Sequence, residues 1–383
     1  MVDQIIPEFI NHNEEPEAVD LLLEVERLSD LTKFTSNTNF DRVCIYLLSC
    51  APYAADPEEM VQTFRTVIEI YRKHKRFPEA LRVAQKLNDV SLIAQIMSEC
   101  KDKVTLKQMS FMLGRQRNPY VSDDEELQSI ISNGRLHEHF KSLAKDLDVL
   151  PAKHPDEIYK QYLETNRRLY NDNIDSAKKN LALTYVNAFV NAAYGNDKLI
   201  LEEKKENNDG DWIYKTKDDG QTAAAASVGL LLLWDCDEAF EQISKYMEAP
   251  ERDIQAGSFM ALGLSNCGVT SEHDPVQAIL IDKLETCKEQ SLKVGALMGL
   301  SFTYAGSARA DLLEAISPII LDTGNSTQLQ AVAALAIGLI YVGTCDEDAA
   351  QSILQTLMEK TEEDLENSFT RLFALGLGLL FLG

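Results

Sequence analysis

The sequence predicts an all-α fold, an α-solenoid of helical hairpins, on three observations. Strand signals are nearly absent, apolar residues recur at helical spacing along most of the chain, and the C-terminal part repeats itself. The strongest single helix carries Met60, Phe64, Val67 and Tyr71 at i, i+4, i+7 and i+11, a spacing that places them on one stripe. Asp56-Pro57-Glu58-Glu59 opens it. Asp is a good cap for the free N–H groups, Pro fits the first helical position, and Glu59 stands at capping-box spacing. Further helices are predicted at about 16–30, 78–86, 90–100, 103–114, 124–132 and 134–147.

Two stretches interrupt this pattern, 117–126 (RNPYVSDDEE) and 202–220 (EEKKENNDGDWIYKTKDDG). The second is charged, contains Gly and lacks apolar periodicity, so it marks the predicted division. Residues 1–201 are read as an N-terminal helical region, 202–220 as a charged loop or linker, and 221–383 as a repeat region of about four and a half units.

Within the repeat region, segments 223–234, 254–268, 292–306, 329–343 and 369–383 align by their last residues, which lie 34, 38, 37 and 40 apart. Each reads as one helix of small and apolar residues; IQAGSFMALGLSNCG and LQAVAALAIGLIYVG carry no charge at all. Such a helix is expected to be buried all round. A helical Gly costs roughly 1 kcal/mol relative to Ala, yet Gly257, Gly263, Gly295, Gly299, Gly338, Gly376 and Gly378 recur there. Close approach of neighbouring helices offsets that cost. Gly268, Gly306, Gly343 and Gly383 stand where a left-handed residue ends a helix. Between these inner helices lie amphipathic, acid-rich outer helices starting near Asp237, Asp274, Ala310 and Glu347. Acids at their starts suit the partial positive charge of a helix N-terminus. Units of this kind bury their faces only by stacking.

The 383 residues suggest two or three packing units at about 150 residues each. Lys plus Arg number 37 against 61 Asp plus Glu, a net charge of −24. A field of that sign repels nucleic acid and anionic membranes, so neither is an expected partner. The longest apolar stretches run to a dozen residues or so, against about 20 needed to span a bilayer. The N-terminus, MVDQIIPEFINHNEEPE, has no basic region leading into an apolar run and does not read as a secretory signal. Seven Cys without a CxxC pair suit reduced thiols buried as small hydrophobes, Cys267 and Cys345 included. That usage points to cytoplasm or nucleus.

No catalytic or cofactor motif stands out. His137 and His139 are two apart, which points them about 200° apart on a helix, so they do not grip one metal ion. Gly376 and Gly378 lack the preceding strand of a dinucleotide loop, and no phosphate-binding loop or GxSxG occurs. The chain is expected to be no enzyme and to hold no metal or cofactor.

The Ala/Gly-rich two-helix repeats resemble the proteasome/cyclosome repeat family. Upstream segments RFPEALRVAQKLND (76–89), CKDKVTLKQMSFMLGRQ (100–116), HPDEIYKQYLETNR (154–167) and SAKKNLALTYVNAFVNAAYGNDKLI (176–200) extend the match. With AAAASVGLLLLWDCD (223–237) they resemble the non-ATPase ubiquitin-receptor scaffolds of the proteasome regulatory particle base. The resemblance implies repeats forming part of a toroid, and a fragment that lacks the family's N-terminal region, later repeats and C-terminal domain. It implies a non-catalytic scaffold that supports the ATPase ring, contacts other regulatory-particle subunits, and docks ubiquitin, ubiquitin chains and ubiquitin-like domains of shuttle receptors. The family's deubiquitinase site would fall outside this chain. Carried over residue by residue, Asp237 matches the start of the first outer helix, and Asp348, Gln355 and Glu359 match a trio on the fourth. Asp311 and Glu314 join them by adjacency. Asp348, Gln355 and Glu359 are spaced i, i+7, i+11 and share one face, with Ile353, Leu357 or Met358 as apolar neighbours. The competing readings are a repeat scaffold of the anaphase-promoting complex or the sister subunit of the same base. Segments matching outside the shared repeats count against both.

Overall fold

The computed structural model describes residues 2–149, 151–158, 176–201, 212–271 and 273–382; the described residues are helices and their connections, without a strand. Their contacts divide into two compact units, Met1–Ile131 and Ser132–Gly383. This division lies upstream of the charged stretch at 202–220. Most of that stretch, 202–211, falls outside the described residues, and Trp212–Lys215 forms a helical turn.

In the first unit, successive helices pack side by side around a core that includes Leu22, Leu47, Ile68, Leu81, Ile93 and Met109. Pro57–Lys73 carries the predicted stripe, with Phe64, Val67 and Tyr71 buried and Met60 half-buried. Asp56 caps it by accepting the Glu58 N–H at 2.9 Å. The reciprocal bond from Glu59 that a capping box requires is not formed. Asp89 and Asp102 cap the helices Val90–Glu99 and Lys103–Arg115 through the N–H groups of Leu92 and Thr105. The helix expected at 16–30 is instead Glu15–Glu24 followed by a short 3-10 turn, Leu28–Asp30. Glu26, at φ 55°, turns the chain between them.

The second unit is a stack. Its inner helices are Asp219–Leu231, Arg252–Ser265, Gln290–Tyr304, Thr327–Ile340 and Arg371–Leu380, each packed on the next. The outer helices are Cys236–Met247, Pro275–Thr286, Ala310–Leu321 and Glu347–Met358, numbered one to four below. A Cβ on Gly229 would fall on the carbonyl oxygen of Ala261, and one on Gly263 on that of Gly299. Gly338 and Gly376 face each other's helices in the same way. Gly378 departs from the expectation, because nothing lies within 4 Å of its absent side chain. The fifth inner helix also departs from burial all round, since only Phe373, Gly376 and Leu380 are buried.

Gly268, Gly306 and Gly343 adopt φ of 79°, 74° and 72°, the left-handed conformation expected of helix-ending glycines; Gly383 lies outside the described residues. The turns also tie neighbouring repeats together. Gly306 and Ala308 donate their N–H groups to Leu339 and Ile340 at 2.9 and 3.0 Å, and Gly343 and Cys345 to Leu379 and Leu380 at the same distances. Ala193 and Gly195 do likewise to Leu230 and Leu231, both at 3.0 Å. The helix Ser176–Val190 packs against the first inner helix as an inner helix would, so the stack begins upstream of residue 221.

Candidate functional site

The outer helices present one exposed ridge each, because their apolar residues point inward at i, i+4 spacing: Leu312, Ile316 and Ile320 on the third, Ala349 and Ile353 on the fourth. On the fourth helix Asp346 accepts the Ala349 N–H at 2.9 Å and fixes the start. Asp348, Gln355 and Glu359 are all exposed, and Gln355 donates to Glu359 at 3.4 Å. Ile353 is fully buried and so is no part of the surface; the backbone turns it into the core with Ala349. The exposed apolar neighbours are Met358, 85% accessible, and Leu354, 44% accessible. Sequence reasoning missed Leu354, although its place next to Gln355 was the available signal. With Cys345, Ala350 and Phe381 these residues line an open groove bordered by Gln355 and Glu359.

The other expected site residues differ among themselves. Asp237 is exposed in the first turn of the first outer helix, and Glu314 is exposed on the third. Asp311 is exposed but already engaged. Arg309 Nε and Nη2 donate to its carboxylate at 3.0 and 2.5 Å, and Gln277 donates to it at 2.5 Å. The bond from Arg309 holds its carboxyl below the usual carboxylate range. Adjacency alone did not reveal that partner.

Among the described residues no group of three or more His, Cys, Asp or Glu side chains is arranged to hold a metal ion. None of the seven cysteines forms a disulfide. Burial pushes the Cys236 thiol up to about 11, which keeps it neutral. Cys345 was expected to be buried and is exposed, in the left-handed conformation at φ 55° in the turn after Gly343.

Residues 1–164 match the family model for the RPN1 N-terminal domain, and residues 332–364 match the proteasome/cyclosome repeat. The second match covers the fourth outer helix. The chain is 43% identical over 380 residues to the 26S proteasome regulatory subunit rpn1 of Schizosaccharomyces pombe, covering 99% of this chain and 42% of that protein. It is 37% identical over 387 residues to 26S proteasome non-ATPase regulatory subunit 2 of Dictyostelium discoideum, again covering 42% of it. Homolog A of the same subunit in Arabidopsis thaliana is 39% identical over 394 residues, 44% of its length. The chain thus spans about two fifths of the curated relatives it matches. Two domain matches and identity of this extent over the whole sequence place the chain in the family of these 26S proteasome regulatory subunits.

Proposed function

We propose that the chain is a non-catalytic scaffold of the proteasome regulatory particle base, working in cytoplasm and nucleus. It assembles with ATPase and other regulatory-particle subunits and docks ubiquitin, ubiquitin chains and ubiquitin-like domains of shuttle receptors. The observation that carries the reading is the fourth outer helix. Asp348, Gln355 and Glu359 share one exposed face beside Leu354 and Met358. An apolar strip edged by acids complements a fold that presents an apolar patch rimmed by Lys and Arg. Rim charges of this kind steer encounter and fix orientation, so the association is weak and salt-sensitive. The relatives are named for the 26S proteasome, which favours this reading over a scaffold of the anaphase-promoting complex.

Calorimetric titration with ubiquitin tests it. The double variant Asp348→Arg, Glu359→Arg, with unchanged circular dichroism, is expected to lose binding that the unaltered chain retains. Equal binding by both proteins would move the docking site elsewhere.

A further inference from the structure

In a chain of net charge −24, residues 72–117 run the other way, with eleven Lys and Arg against four Asp and Glu. Several of these cations are already engaged. Arg72 pairs with Glu99, Arg76 with Glu79 and Lys107 with Glu126, and Lys73 donates to the carbonyls of Thr32 and Thr35. Among the described residues no ion pair reaches Arg82, Lys101, Lys103 or Arg115, all of them exposed. Arg82 and Arg115 stand on two helices that pack together, Phe77–Leu87 and Lys103–Arg115, where Gln85 donates to the Met112 carbonyl at 3.3 Å.

The second of these helices carries apolar residues on two sides. Met109, Ser110, Leu113 and Gly114 are its buried side, with Met109 and Leu113 in the core of the first unit. Away from them Val104, Gln108, Phe111 and Arg115 follow i, i+4, i+7 and i+11 and form one exposed stripe. Val104 is 76% accessible and Phe111 42%. A lone exposed valine needs no explanation. Here two apolar side chains share a line that has Lys103 at one end, Arg115 at the other, and Arg82 on the adjoining helix.

We infer that this stripe docks an acidic amphipathic helix of another protein, its apolar residues on Val104 and Phe111 and its carboxylates opposite Arg82, Lys103 and Arg115. From Val104 to Arg115 the stripe rises about 16 Å, the length of three helical turns. Duplex nucleic acid and anionic bilayers carry the same sign of charge over far larger surfaces, and against those the field of the whole acidic chain acts. A three-turn helix meets only the local cations, because exposed charges are screened beyond about 8 Å. Relatives named as subunits also favour a protein ligand. The partner's charge is opposite to that of the basic-rimmed folds proposed for the fourth outer helix, so the two surfaces serve different ligands.

Fluorescence polarisation of the full chain tests the inference. The probe is a helix-stabilised peptide of about three turns, with Leu at i, i+4 and i+7 and Glu on the flanks, set against a scrambled peptide of the same composition. The ordered peptide is expected to bind at least about tenfold more tightly than the scrambled one, and Val104→Ser and Arg115→Glu each to weaken it by about threefold to tenfold. Both substitutions are on the surface, and unchanged circular dichroism confirms the fold. Lys145→Glu makes the same charge change on an exposed residue of the second unit and is expected to leave binding unaltered. Equal binding of the two peptides, binding of neither, or an equal loss in Lys145→Glu and Arg115→Glu would overturn the inference. So would binding of phosphatidylserine vesicles or a duplex oligonucleotide in place of the ordered peptide.

Discussion

Arg309 sets the charge of the edge shared by the second and third outer helices. It pairs with both Asp274 and Asp311, so one guanidinium offsets a carboxylate at each of the two helices. The Asp311 pair also has a pH signature. Its folded pKa lies below the unfolded one, so its stabilisation is fully present above the unfolded value and is lost as pH falls toward the folded one. The Tm of the unaltered chain should therefore drop more than that of Asp311→Asn between about pH 5 and about pH 3. Parallel curves would mean that the pair is screened by solvent. The acids themselves were legible in the sequence, but their partners were not. Arg309 and Asp274 lie 35 residues apart, and only the stacking of two repeats brings them together.

Glycines in the inner helices divide by what they meet. A Cβ on Gly263 would fall on backbone of the next helix, which a rigid stack cannot yield, whereas Gly378 faces open space. Gly263→Ala is expected to destabilise by about 1–3 kcal/mol through overpacking. Gly378→Ala is expected to stabilise by up to about 1 kcal/mol through helix propensity. Urea denaturation of the two variants separates these effects, and similar losses in both would show that propensity, not contact, governs. The helices were legible because caps and apolar spacing are local signals, and most predicted boundaries agree within two residues. The break at Glu26 was not, since nothing in the local pattern marks a left-handed residue there. Equally hidden was the helix Ser176–Val190 as a member of the stack, although Gly195 precedes Trp234 by 39 residues, close to the repeat spacing. The charged stretch between them masked that periodicity.

For the whole molecule, a net charge of −24 surrounds a stack whose outer ridge is acidic. Binding of a basic-rimmed partner should weaken steadily as salt rises from about 50 to about 300 mM, because exposed charges are screened over about a Debye length. Family and architecture were readable from the sequence since both rest on repeated local patterns. The docking face was readable only in part, because which residues of an outer helix stay exposed depends on packing, as the burial of Ile353 and the exposure of Leu354 illustrate. The most direct test is a hydrogen-exchange footprint of the whole chain with and without ubiquitin. The account predicts slowed exchange in peptides covering the turn at 341–346 and the helix Glu347–Met358, with little change in Met1–Ile131. Protection confined to the first unit, or to inner helices alone, would contradict it.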